Sequence, residues 1–138
     1  MPLRYQVSTD GFYVRATCYG ILTSEDVIAY IQKLMEDDRV KPGFRQLFDV
    51  SGVEDAMIAP DQYKSVTDVV LGNPKKGKNN MLAIVAGTGK VYLKARQYEV
   101  ATSPHIENAI VFNSIRTAEI WLGVTDLELS PLSEPIAG

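Results

Sequence analysis

Residues 81–86 read MLAIVA, a run without a single polar residue. A strand with one solvated face alternates apolar and polar residues, whereas a strand buried on both faces does not. Residues 108–112, NAIVF, have nearly the same continuous apolar character. Sheets with both faces covered are typical of proteins in which helices connect parallel strands. The chain is therefore predicted to have an α/β fold.

The rest of the sequence supplies strands and helices on either side of these two segments. Residues 3–8 and 12–19 alternate, and the turn signal TDG between them predicts an opening hairpin. Thr23 is predicted to cap the first helix and Ser114 the last one. The other predicted elements are the first helix within 22–38, a strand at about 46–50, a loop at 53–59, a helix from Pro60 to 71, a loop at 73–80, and helices at 91–102 and 115–122.

The predicted order is β-β-α-β-α-β-α-β-α. Right-handed crossovers between successive strands then give a mostly parallel five-stranded sheet. Steps that always advance in one direction would place every helix on one face of that sheet. Because the strands at 81–86 and 108–112 look buried on both faces, either a helix crosses to the second face or a partner subunit covers it. We favour a homodimer over a monomer.

The length and composition exclude several classes of function. A chain of 138 residues suits one domain, predicted at 1–122, followed by a tail at 123–138 that packs on the domain or is partly disordered. The 14 Lys and Arg against 17 Asp and Glu give a net charge of −3, so no basic face for nucleic acid is expected. The single Cys18 cannot form an internal disulfide and is predicted to be a buried, inert thiol.

The sequence gives no sign of export or membrane insertion. The first residues lack the apolar segment of a signal peptide. No window approaches the ~18 apolar residues that a transmembrane helix needs. A cytoplasmic protein without a transmembrane segment is expected.

Four segments of the chain, in the same order, resemble those of a known group. The string FDVSGV at 48–53 looks like the strand end of STAS domains, and about residues 5–122 are similar to the SpoIIAA-like (STAS/SEC14) group of small bacterial proteins. The resemblance implies a right-handed superhelix of β-α units. Function in the group is mostly unassigned, and related folds serve as phospho-regulated antagonists or bind lipids, nucleotides and other small molecules. The segments are DGFYVRATCYGILTSEDV, KPGFRQLFDVSG, AIVAGTGKVYLKARQYE and VFNSIRTAEIWL.

The switch serine of the antagonists has no counterpart in this sequence. The resemblance places Met57, Ile58 and Ala59 where an acidic residue and two serines would stand. Ser51 instead belongs to the corner Asp49-Val50-Ser51-Gly52, where its side chain can bond local backbone. Ser51 is therefore predicted to be structural rather than a site of regulated phosphorylation.

The segment AGTGK at 86–90 joins a strand to a helix and allows two interpretations. Its glycines, Gly87 and Gly89, can supply the special backbone angles of a tight turn. Alternatively, Thr88, Gly89 and Lys90 can cradle an anion at the start of the helix. The segment is not a P-loop, because that motif requires Gly at the position of Ile84 and Ser or Thr at that of Val91.

Met57 and Ile58 are apolar residues in a predicted loop at the carboxyl ends of the parallel strands, where α/β sheets usually bind ligands. They can form the lip of an apolar pocket that Thr88 and Tyr92 also border, or a patch for another protein. The candidate ligand-binding residues are Asp49, Ser51, Met57, Ile58, Thr88, Gly89, Lys90 and Tyr92.

No catalytic set, metal site or cofactor is predicted. His105 is the single histidine and is expected in an exposed loop, without a visible nucleophile or carboxylate beside it. The sequence thus favours a non-enzymatic binding module for a small apolar or anionic ligand, a lipid included. The alternative is a protein-interaction or regulatory domain related to anti-sigma-factor antagonists.

Overall fold

The computed structural model describes residues 3–58, 81–87, 89–102, 109–124 and 129. The helix predicted after Pro60, the loop at 73–80, Thr88 and His105 lie outside these residues. Within the described residues the elements are β1 Leu3–Val7, β2 Tyr13–Thr23, α1 Ser24–Glu36, β3 Arg45–Met57, β4 Met81–Val85, α2 Lys90–Thr102, β5 Ala109–Phe112 and α3 Ile115–Leu122.

The five strands form one sheet in the order β1-β2-β3-β4-β5. The predicted hairpin is confirmed, since β1 and β2 pair antiparallel. The pairings β2–β3, β3–β4 and β4–β5 are parallel. The sheet is therefore mixed, and the expectation of a mostly parallel sheet needs this correction. The physical reason is the short turn after β1, which can only return the chain antiparallel.

The first helix begins at the predicted cap. Thr23 Oγ1 accepts a hydrogen bond from Asp26 N at 3.2 Å, and Asp26 Oδ2 accepts one from Thr23 N at 2.9 Å. This reciprocal pair satisfies two backbone donors that an uncapped helix would leave free. The buried residues Val27, Tyr30 and Leu34 recur at helical spacing and fix the face that α1 turns to the sheet.

Each face of the sheet has its own buried cluster. The larger one, here the α1–α2 core, comprises Leu3, Tyr5, Val7, Val14, Ala16, Cys18, Leu22, Val27, Tyr30, Ile31, Leu34, Val40, Phe44, Val50, Val53, Ile84, Ala86, Val91, Ala95 and Val111. The smaller one, here the α3 core, comprises Tyr13, Leu47, Ala83, Val85, Ala118, Leu122 and Val124.

Helix α3 covers the second face of the sheet. Within β4, Ile84 belongs to the α1–α2 core, whereas Ala83 and Val85 belong to the α3 core. Of the two predicted alternatives, the one in which a helix crosses to the second face holds, because α3, which follows β5, packs on the side opposite α1 and α2. Of the two ways to cover β4, the chain thus uses its own helix rather than requiring a partner subunit.

Both ends of α3 are capped. Ser114 is the N-cap, as predicted, and Gly123 ends the helix in the left-handed region at φ 71°. Arg45 at the start of β3 donates a hydrogen bond to the Leu122 carbonyl, and a Cβ on Gly123 would lie 3.1 Å from that guanidinium. Gly123 therefore serves both the helix end and the close approach of Arg45.

Strand β3 is longer than predicted. It was expected at about 46–50, with a loop at 53–59, but it continues to Met57 alongside β2, which continues to Thr23. The predicted corner is a register shift inside the ladder, since Asp49 pairs with Thr17 but Gly52 pairs with Tyr19. A shift of this kind bends a strand without ending it, which explains why turn-forming residues stand within β3.

Three tyrosines are fully buried in the described structure but differ in hydrogen bonding. Tyr5 Oη donates to Asp37 Oδ2 at 2.8 Å, and burial raises the pKa of Tyr5 to about 12. Tyr30 Oη accepts from Gln46 Nε2. Tyr13 Oη, in the α3 core, has no hydrogen-bond partner among the described residues.

We expect Tyr13→Phe and Tyr5→Phe to have opposite effects on the free energy of unfolding in urea. Removal of an unpaired buried hydroxyl leaves stability unchanged or raises it by up to ~1 kcal/mol. Loss of the Tyr5 bond to a carboxylate lowers it by about 1–2 kcal/mol. The two substitutions are matched in size and burial, and a larger loss for Tyr13→Phe would contradict the assignment.

Candidate functional site

A shallow depression lies where β4 and β5 end. It has a volume of about 260 Å³, opens to solvent and is lined by Gly87, Gly89, Tyr92, Leu93 and Asn113. Gly87 and Asn113 follow the carboxyl ends of two neighbouring parallel strands, Gly89 directly precedes α2, and Tyr92 and Leu93 belong to the first turn of α2. Ligands of open α/β sheets usually bind at this edge.

The backbone around the depression depends on one glycine. Gly89 has φ 81°, and its carbonyl accepts the first helical hydrogen bond of α2, from Leu93 N at 3.1 Å. This left-handed conformation confirms the tight-turn interpretation for Gly89. For Gly87 it does not hold, because that residue is not among those with a positive φ.

An ion-pair cluster joins the end of β3 to α2. Lys94 Nζ lies 2.8 Å from Asp55 Oδ1 and 2.7 Å from the Ala56 carbonyl oxygen, and Lys90 Nζ lies 3.4 Å from Asp55 Oδ2. The hydrogen bond from Lys94 is the main cause that lowers the pKa of Asp55. Residues of β3 near Met57 and the first turns of α2 therefore lie together, as the rule for strand carboxyl ends led us to expect.

Asp49 and Ser51 form a local pair within β3. Asp49 is buried, and its Oδ1 accepts hydrogen bonds from Ser51 Oγ at 2.6 Å and Ser51 N at 2.9 Å. The serine hydroxyl is thus engaged by a carboxylate two residues earlier, which stabilises the register shift. Neither residue lines the depression described above.

The other candidate residues separate into different environments. Gly89 and Tyr92 line the depression, whereas the ammonium group of Lys90 contacts Asp55 of β3. Met57 is the last residue of β3 with 60% of its surface exposed, whereas Ile58 packs against the α1–α2 core. The two do not form a common lip, because successive residues of an extended chain point to opposite sides.

Residues that the sequence did not single out complete the site. Asn113 directly follows β5, so the rule that ligands bind at strand carboxyl ends could have found it. Leu93 lies one helical turn beyond Gly89 and looked like an ordinary helix residue. The pair Asp55 and Lys94 is separated by 39 positions, and no local pattern signals such a contact.

The described residues also limit other chemistry. Burial raises the pKa of the Cys18 thiol well above its ordinary value, consistent with an inert thiol. In the described ranges no group of three or more His, Cys, Asp or Glu side chains stands close enough to hold a metal ion. None of the helices described here is long and apolar enough to cross a membrane.

Comparison with known proteins identifies the fold. No family model matches the chain, and no curated protein matches it. Among solved structures, an uncharacterized protein of the DUF3478 family from Shewanella loihica PV-4, with a SpoIIAA-like fold, is 22% identical and superposes with a TM-score of 0.55. The match covers 87% of this chain and 91% of that chain. The fold is SpoIIAA-like.

In this SpoIIAA-like chain, the residues at the expected switch position carry no hydroxyl. Met57 and Ile58 are described and apolar, and Ala59 lies outside the described residues.

We expect Lys94→Met to loosen the end of β3 more than Lys90→Met does. Lys94 makes a 2.8 Å ion pair and a carbonyl contact, whereas the Lys90 pair is longer and its side chain is 66% exposed. Hydrogen exchange measured by mass spectrometry should become several-fold faster at residues 53–57 in Lys94→Met and change little in Lys90→Met. Equal effects of the two variants would contradict this role for Lys94.

Proposed function

We propose that this chain is a non-enzymatic SpoIIAA-like binding module that takes a small organic anion with an apolar body. The observation that carries the proposal is the open depression at the carboxyl ends of β4 and β5, whose lining residues Gly89 and Tyr92 flank Lys90 in the chain. The same edge holds ligands in many open α/β sheets, and convergence of an apolar wall with a charged group is typical of small-molecule sites.

The apolar part of the ligand would contact Tyr92 and Leu93. Leu93 is 62% exposed although it occupies a helix whose other face is buried. A ligand that covered such a side chain would remove apolar surface from water, which contributes about 25 cal/mol for each Å². The depression thus presents apolar surface that a ligand could remove from water.

The anionic part of the ligand would contact Lys90. Its ammonium group is 3.4 Å from Asp55, which is held more closely by Lys94. Two lysines around one carboxylate give this three-residue cluster a net positive charge. An anion can pair with Lys90 without breaking the shorter contact of Lys94.

The size of the depression favours a small ligand over a lipid. Its volume of about 260 Å³ lies at or below the lower end of the range of roughly 300–1,000 Å³ for pockets that enclose drug-sized molecules. An acyl chain would need a longer and more enclosed cavity than the one described. Between the apolar lipid and the small anion predicted from the sequence, the geometry favours the small anion.

The hydrogen bond of the Ser51 hydroxyl supports the non-enzymatic part of this proposal. Its hydroxyl donates to Asp49, a carboxylate, rather than to an imidazole that could accept its proton near neutral pH. A phosphate on Ser51 would also stand next to that carboxylate and be repelled by it. Both points support a structural serine.

Benzoate and benzamide provide a matched pair of probes, since they share a ring and differ in charge. We expect benzoate to shift the amide NMR signals of Gly87, Gly89 and Leu93, with weaker binding of benzamide. Lys90→Gln should reduce the preference for benzoate roughly two- to fivefold, as expected for an exposed ion pair. Shifts spread over the whole surface, or none at this edge, would refute the proposed site.

A second candidate is a protein-interaction or regulatory domain, and two exposed apolar residues favour it. Ile21 is 54% exposed on β2, and Met57 is 60% exposed at the end of β3. Met57 pairs with Thr23, two residues beyond Ile21, so strand alternation places both apolar side chains on one face of the ladder. Such a patch can bind another protein or a second copy of the chain.

For this second candidate we expect concentration-dependent self-association, measured by light scattering, that Ile21→Ser weakens about tenfold or more. Ile120→Ser is the control, because Ile120 is also exposed, at 58%, but belongs to α3. A parent chain that stays monomeric at high concentration would remove the homodimer. Equal weakening by both variants would point to general stickiness rather than this patch.

A further inference from the structure

β5 is the last strand of the described sheet, and only one of its sides pairs with another strand there. The outer side of an edge strand presents backbone N–H and C=O groups to any chain that can pair with them. The segment Ala109–Phe112, AIVF, is uncharged and rich in residues that favour strands. Ile110 is 38% exposed. An uncharged edge strand of this kind can pair with a copy of itself.

The hydrogen bonds of β5 show which of its residues face outward. The Phe112 carbonyl accepts from Ala86 N at 2.9 Å, so the backbone groups of Phe112 point toward the β4 side. Because these groups alternate along a strand, those of Ala109 and Val111 point to the outer side.

A side chain of α2 occupies the outward N–H of Val111. Glu99 Oε2 accepts a hydrogen bond from Val111 N at 2.6 Å, and Glu99 Oε1 accepts one from Arg96 Nη1 at 2.8 Å. The Glu99 side chain is mostly buried, with 18% exposure. The carboxylate thus stands where the carbonyl oxygen of an added strand would stand, and Arg96 orients it.

We infer that Glu99 blocks strand addition at β5, and that the strand it excludes is β5 of a second copy of this chain. The two copies would pair antiparallel about a twofold axis, in which each edge presents the same groups to the other. The Glu99 carboxylate occupies the Val111 N–H, and it also adds negative charge beside an uncharged strand. This role is independent of the ligand site, which lies at the other end of α2.

Glu99→Ala tests the inference by light scattering over a range of concentrations. We expect it to associate at concentrations at least tenfold below those at which the parent chain does. Glu99→Gln keeps an oxygen that can accept from Val111 N, so it should behave like the parent. Adding Ile110→Lys to Glu99→Ala should restore the parent behaviour, because a lysine on an edge strand opposes pairing.

Two results of this series would overturn the inference. One is a Glu99→Ala chain, folded by circular dichroism, with the same mass as the parent at every concentration. The other is association that Ile110→Lys does not reverse, since the surface involved would then not be β5.

Hydrogen exchange in the parent gives a test that needs no substitution and stands if Glu99→Ala fails to fold. Both Ala109 and Val111 direct their amides to the outer side, and among the contacts of the described residues it is the Val111 amide that bonds Glu99. We expect the Val111 amide to exchange at least tenfold more slowly than that of Ala109. Equal rates would mean that Glu99 does not hold this edge.

Discussion

Burial of β4 on both faces is the constraint on which the rest of the described structure depends. Ile84 packs with α1 and α2, whereas Ala83 and Val85 pack beneath α3. Removing apolar surface from water on both sides stabilises the strand, but it requires a helix layer on each side. The chain meets this requirement by crossing the sheet after β5. The depression follows from the same geometry, because it forms where β4 and its neighbour β5 end.

Strand β3 makes hydrogen bonds to helices on both faces of the sheet. Arg45 at its start donates to the end of α3, and Asp55 near its end accepts from Lys94 of α2. The two helices lie on opposite faces, so each end of β3 is held from a different side. The long ladder with β2 then carries β3 past the end of β4, so that Asp55 reaches Lys90 and Lys94 of α2.

Local signals in the sequence predict much of this fold, and long-range contacts account for what they miss. The cap at Thr23, the cap at Ser114 and the continuous apolar β4 are each encoded within a few residues. The extension of β3 is different, since residues 53–57 form a strand only because β2 runs alongside them. The position of α3 depends on the face of the sheet to which the chain turns after β5, and helical periodicity does not contain that information. The link from Asp55 to Lys94 likewise depends on two elements that meet only after folding.

Helix α2 departs from the pattern of an ordinary amphipathic helix. An amphipathic helix would bury its apolar residues and expose its charged ones. In α2, Leu93 is exposed at the depression, whereas the charged Lys94 and Glu99 are directed to specific backbone and carboxylate partners.

These departures from the pattern fall at the two proposed roles of α2 and at the contact that positions it. Leu93 belongs to the ligand site, Lys94 fixes the helix against β3, and Glu99 covers the edge of β5. Natural sequences break local rules mainly where a site requires it. The three residues lie on one helix. The position of α2 on the sheet therefore sets both the geometry of the depression and the contact of Glu99 with the edge of β5.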